Sequence, residues 1–268
     1  MTTSVTLCEA PDYGKRHCSN TLESNNSLSK LLPMLLEICI DSYASALAAK
    51  NGGADRLEIC SALAVGGTTP STSLVERCVN ELDIPCMMMI RPHDGGFVYD
   101  QDDLRTMVGS IRIAQSAGVR GVVFGALTMN GKIDLESCQR LLEAADGLET
   151  TFHRAIDVAA EPLEGLAQIE ELGFDRVLTS GQKSTAIQGA DLIYQMVKQS
   201  RSISILAGSG VNASNVMELI QQTGVQEVHA SASSATAESP QTQGEVSFGI
   251  DRRVTCENKV RELKAKLV

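Results

Sequence analysis

From residue 35 onward, short apolar runs bounded by turn residues alternate with longer stretches in which apolar positions recur every three or four residues. The short runs read as strands at 35–40 (LLEICI), 56–60 (RLEIC), 86–91 (CMMMIR), 120–124 (RGVVF), 149–153 (ETTFH), 176–179 (RVLT), 203–207 (ISILA) and 227–231 (EVHAS). Helical patterns lie between them. One covers 71–82 and opens at Pro70-Ser71, one covers 101–117 behind Asp100, and one covers 161–172 with Pro162 early and Gly173 at its close. Another starts near Asn212 to Ser214, and the last, 257–267, carries Val260, Leu263 and Leu267. Successive strands start 21 to 34 residues apart, enough for a crossover of at least about a dozen residues, so neighbouring strands run parallel. Eight such units predict a closed α/β barrel, the (β/α)8 or TIM barrel, which typically takes about 250 residues. An open doubly wound sheet would want a glycine-rich turn after its first strand, where Asp41-Ser42-Tyr43-Ala44 stands instead.

Residues 1–33 mix Ser, Thr, Asn and charges without periodicity and predict a flexible arm ahead of a barrel domain at 34–268. Deleting residues 1–30 is therefore expected to leave the melting temperature unchanged, and a large drop on truncation would refute this. Cys8, His17 and Cys18 fall in that arm. The Ser, Ala, Thr and Gln-rich stretch 232–250 predicts a mobile loop after the eighth strand.

Side chains on a strand alternate faces, which assigns the barrel interior. Leu36, Ile38 and Ile40 face the helices, leaving Glu37 and Cys39 inward and Asp41 at the C-terminal rim. The same four letters return in Leu57-Glu58-Ile59-Cys60, directing Glu58 and Cys60 inward on the neighbouring strand. Equal parity turns Arg91 inward above Met87 and Met89, His153 inward on strand five, and Glu227, His229 and Ser231 inward on strand eight. Barrel interiors are ordinarily filled by branched aliphatics, and burying unpaired charge costs several kcal/mol. Such a cluster must pair internally or bind something. Glu37, Glu58, Arg91, His153 and His229 are expected in one cavity.

Cys39 and Cys60, if in register about 4.8 Å apart, suit a soft cation such as Cu(I), with Met87 or Met89 adding a thioether. The other reading is that they are small buried packing residues. Cys78, Cys138 and Cys256 in helical patterns and Cys86 with outward parity read as packing. Gly208-Ser209-Gly210 and Ser180-Gly181 follow strands seven and six, where backbone N–H groups bind anions in many barrels. Glycines there also simply permit tight turns.

Composition narrows the functions. The 33 Asp and Glu against 23 Lys and Arg give a net charge of −10, which argues against nucleic acid, since phosphate binding needs basic patches. Aromatics are 3% with no Trp, too few for base stacking or a membrane belt. No apolar stretch approaches the roughly 18 residues of a membrane span, and no secretory core opens the chain. The 8 cysteines are thus expected as thiols in a reducing, cytoplasmic compartment.

The segments Leu36-Glu37-Ile38-Cys39, Gly53-Ala54-Asp55-Arg56-Leu57-Glu58-Ile59-Cys60, Gly66-Gly67-Thr68-Thr69-Pro70-Ser71, Ile90-Arg91-Pro92, Phe152-His153-Arg154-Ala155, Arg176-Val177-Leu178-Thr179-Ser180-Gly181 and Val228-His229 carry a resemblance. From about 34 to 231 the chain resembles the copper homeostasis protein CutC family. The resemblance implies a (β/α)8 barrel, a cytoplasmic location, homo-oligomers and a Cu(I) site on Cys39 and Cys60. It departs from the family at His93-Asp94-Gly95-Gly96-Phe97, where the usual pattern is Arg-Gly-Gly-Asp-Phe. The leading expectation is a copper homeostasis protein. The alternative is a barrel enzyme for a small anionic, even phosphorylated, metabolite, with Glu37 or Glu58 as general base, His153 as general acid, Arg91 and Arg154 as anion clamps, and Gly208 and Gly210 cradling phosphate.

Overall fold

The computed structural model describes residues 34–236 and 252–268. The arm expected at 1–33, with Cys8, His17 and Cys18, lies outside them. Eight parallel strands close into one barrel in sequence order: β1 (Leu35–Ile40), β2 (Arg56–Ile59), β3 (Cys86–Met89), β4 (Gly121–Phe124), β5 (Glu149–Phe152), β6 (Arg176–Thr179), β7 (Ser204–Gly208) and β8 (Glu227–Ala230). Around it run α1 (Tyr43–Asn51), α2 (Thr72–Glu81), α3 (Gln101–Ala117), α4 (Leu135–Ala144), α5 (Pro162–Leu172), α6 (Ala190–Gln199) and α7 (Val216–Thr223), and the last helix is α8 (Glu257–Lys264). The pattern had signalled five of these. Of the other three, α1 is built largely from alanine, with Ala46 and Ala49 buried, and so shows only a faint apolar stripe. Asp100 starts α3 as expected, its carboxylate accepting from the Asp102 and Asp103 amides while Asp103 returns the bond.

The alternation along the strands sorts the interior into two regions. Leu36, Ile38, Ile40, Leu57, Ile59, Cys86, Met88 and Ile90 join the large apolar core between sheet and helices. Cys60, Met87, Met89 and Val123 form a separate small cluster inside the barrel. The rest of the interior is mostly polar and charged. Because barrel strands tilt and stagger on closure, the repeated LEIC segments are not level: Glu37 lies opposite Arg56 and Cys39 opposite Glu58. On the other side Glu37 lies opposite His229.

The stretch after β8 is not a plain loop. Its first part forms β9 (Ser233–Ala235), which pairs antiparallel with β10 (Arg253–Thr255). A sequence of small polar residues can do this because the ladder is made by backbone groups; here the Thr236 amide also donates to the Arg252 carbonyl at 3.0 Å. Residues 237–250, the remainder of that expectation, lie outside the described residues.

Candidate functional site

A ladder of alternating charges climbs the barrel axis. At its foot Arg176 donates from Nε to Glu227 at 2.9 Å, and Arg56 donates to the same carboxylate oxygen at 2.8 Å. Arg56 also donates from Nε to Glu37 at 2.5 Å. Glu37 in turn bonds the Nδ1 of His229 at 2.8 Å, and the Nε2 of His229 stands 3.8 Å from Glu58. Arg56, Glu37 and Glu58 are almost wholly buried, so each charge depends on its neighbour for the stabilisation it has lost from water. Burial alone would raise the Glu37 carboxyl, but Arg56 and His229 outweigh it and hold its pKa down at about 2. Burial works against a charged His229, yet Cys39, Glu37 and Glu58 push it well above the ordinary histidine range. Burial, helped by the charge of Glu37 and opposed by His229, raises Glu58.

The top of the ladder meets the thiols. Cys39, Glu58 and His229 place one donor atom each within 4.8 Å of one another, the one such cluster among the described residues. Cys60 is not in it. The stagger sets Glu58, not Cys60, beside Cys39, which corrects the expected level pair. Cys60 is instead fully buried with Met87, Met89 and Val123 and donates to Glu58 at 3.4 Å. Burial and the adjacent Glu58 push its thiol well above the usual range, which disfavours the thiolate that binds metal.

Above the trio opens a cavity of about 300 Å³. Glu58, Arg91, His153 and His229 line it with Cys39 and Arg154; Glu37, expected there, does not. Its carboxylate is used by Arg56 and His229 one step down the strand. Arg91 is held by backbone: it donates to the carbonyls of Val65 and Gly67 at 2.8 and 2.9 Å, and to those of Asp94 and Gly95 at 3.1 and 2.6 Å. The departing His93–Phe97 loop thus wraps the guanidinium. His153 accepts at Nδ1 from the Ala155 amide at 3.3 Å, and burial with the nearby Arg91 charge lowers its pKa to about 3. It is neutral at physiological pH and offers an N–H donor rather than the protonated imidazolium of a general acid.

Arg154 is half exposed and committed to Asp157 at 2.8 Å and the Ser180 hydroxyl at 2.7 Å. Gly210, with φ +71°, lines the mouth. Gly208 does not: a Cβ there would meet Leu178 Cδ1 at 2.7 Å and His229 Cβ at 3.2 Å, so its bareness serves to seat His229. The sequence reading passed over Arg56 and Arg176, although Arg56 shares the inward parity of Glu58. It also passed over Asp157, which accepts from Thr179, Ser180 and Gln182 and sits on a short turn with no periodic signal.

These shifts set the pH dependence of stability. His153, near 3 folded against 6.5 unfolded, leaves a proton to be bound only by the unfolded chain, so stability falls as pH drops below about 6.5. Glu37 adds to that loss as pH falls from 4.5 towards 2. The contribution of His229, raised above 6.5, is complete below that pH and is lost as pH climbs through its folded value. Denaturation midpoints are expected to peak near neutrality, and His153→Gln is expected to flatten the acid limb. An unchanged acid limb in that variant would count against the neutral buried imidazole.

Comparison with known proteins follows the same segments. The CutC family model matches residues 34–234. The chain belongs to the CutC family. A CutC family protein from Histophilus somni is 47% identical over 217 residues, covering 81% of this chain and 89% of the relative. The human copper homeostasis protein cutC homolog is 42% identical over 201 residues, with 75% of this chain and 74% of the relative covered. A Streptococcus agalactiae protein crystallised under the name CutC superposes with a TM-score of 0.70 at 34% identity, covering 74% of this chain and 98% of its own. In this CutC-family chain the matched span contains all eight barrel strands and every member of the charge ladder, and no helix among the described residues is long and apolar enough to cross a membrane.

Proposed function

We propose that the chain takes part in copper homeostasis by binding Cu(I) as cargo at the barrel mouth, on Cys39 Sγ and His229 Nε2, with the Glu58 carboxylate alongside. The observation that carries this is the convergence of those three donor atoms within 4.8 Å. The donor set fits: a thiolate and an imidazole are good copper ligands, and the thioether of Met89 lines the same cavity. Glu58 is a harder donor and contributes charge more than affinity. The Glu37 carboxylate on Nδ1 fixes the His229 ring, the usual support of a ligating histidine, and the metal takes Nε2 by displacing its proton. Copper homeostasis is also what the human relative is named for.

The reading keeps the chain in a reducing, cytoplasmic setting, supported by six free cysteines among the described residues, and as the homo-oligomer its resemblance implies. Anaerobic titration against a Cu(I) chelator tests it, in a Cys8→Ser/Cys18→Ser background that removes adventitious thiols. One Cu(I) per chain is expected. Retention of that stoichiometry and affinity in a Cys39→Ser/His229→Gln variant would overturn the proposal.

A further inference from the structure

Five buried side-chain atoms among the described residues have no hydrogen-bond partner, and three of them, Glu58 Oε1, Arg91 Nε and His153 Nε2, belong to residues lining one cavity. Each such atom left unmet costs about 1–3 kcal/mol, so three of them on residues around one cavity call for a polar guest. Their polarities are fixed. Arg91 Nε carries hydrogen, and because His153 Nδ1 accepts from Ala155 its Nε2 is the protonated nitrogen. The residues lining the cavity therefore carry two unmet donors and one unmet carboxylate oxygen. Phe97 packs against both residues, its ring tilted 4.8 Å from the His153 ring centre and 5.1 Å from the Arg91 guanidinium carbon, which helps to hold them in place.

The charge points the same way. Four backbone carbonyls hold Arg91, but among the described residues no carboxylate lies within salt-bridge distance of it, in contrast to Arg56, Arg154 and Arg176. Ordered water would satisfy single atoms without balancing a buried guanidinium. A cation on that side would be repelled, and an apolar guest would leave all three atoms unmet.

We propose that this cavity binds a small hydroxylated oxyanion, a carboxylate or phosphate ester with a hydroxyl on a nearby carbon, its anionic group on Arg91 Nε and His153 Nε2 and its hydroxyl on Glu58 Oε1. The site shares its cavity and the Glu58 carboxylate with the copper ligands, but it takes its anion on Arg91 and His153, which are not among them. At about 300 Å³ the cavity is at the small end of ligand pockets, which limits the guest to a metabolite of a few carbons.

The test uses the full chain freed of metal by a chelator, with calorimetry and thermal shift against glycerate and glycerol 3-phosphate. Glycerol, lacking the anion, and acetate and inorganic phosphate, lacking the hydroxyl, are the controls. At least one of the two hydroxylated anions is expected to bind tenfold or more tightly than any control, and which one does so separates carboxylate from phosphate recognition. Because Arg91 also supports two loops, the deciding variant is His153→Phe, which keeps a ring against Phe97 and removes the donor. It is expected to lose affinity at least tenfold while keeping the parent's Cu(I) affinity, which reports an intact barrel; Cys39→Ser is expected to keep the anion. Failure of both hydroxylated anions to bind, equal binding by His153→Phe, or loss of the anion in Cys39→Ser would each overturn the proposal.

Discussion

Replacing Arg56 by Met is expected to destabilise the barrel by about 3–5 kcal/mol, because it strands the Glu37 carboxylate, which is buried away from water. For a domain of this size that lowers the melting temperature by roughly 6–20 °C. Arg56 bridges Glu37 and Glu227 on two other strands, and both it and Glu37 are buried to within a few per cent. Glu37 would retain only His229, and Glu227 only Arg176. The same substitution in a Glu37→Gln background is expected to cost distinctly less, since the charge that needs Arg56 is gone; the double-mutant cycle reads this coupling from thermal or denaturant melts. Strict additivity of the two changes would show that the ladder does not couple these residues.

The second large effect concerns copper. Cys39→Ser and His229→Gln are each expected to weaken Cu(I) binding at least a hundredfold, since a hydroxyl or amide is a poor partner for a soft cation. Cys60→Ser is expected to stay within about threefold of the parent, because its sulfur lies in the apolar cluster under Met89 and outside the donor trio. Glu37→Gln sits between these limits: it leaves all three donors in place but loosens the His229 ring, a change that typically costs about 10–100-fold. Competition titrations under one chelator rank the four variants directly. Equal losses for Cys39→Ser and Cys60→Ser would restore the pair that the repeated LEIC segments suggested.

That contrast shows what the sequence carries. Strict alternation told Leu36 from Glu37 and Met88 from Met89, because a one-residue error would have sent charges to the helices and aliphatics to the interior. It therefore gave the barrel and nearly all of its polar lining. Relative height between strands has no local signature. The repeated letters of β1 and β2 invite a level pairing of Cys39 with Cys60, whereas closure staggers the strands and sets Cys39 beside Glu58. For the same reason Glu37 shares the inward face with Glu58 yet stays below the cavity. Arg56 and Arg176, each first in its strand, drew no assignment, because their role appears only when the barrel bottom closes around Glu227. His153 was legible as an inward histidine, but its neutrality depends on burial and on Arg91 from another strand.

X-ray absorption at the copper edge of the Cu(I)-loaded, Cys8→Ser/Cys18→Ser protein counts the ligands of the metal without relying on affinity. The first coordination shell is expected to hold one sulfur from Cys39 and one imidazole nitrogen from His229, the nitrogen signature disappearing in His229→Gln and the spectrum unchanged in Cys60→Ser. A shell of two sulfurs with no nitrogen, altered by Cys60→Ser, would contradict this.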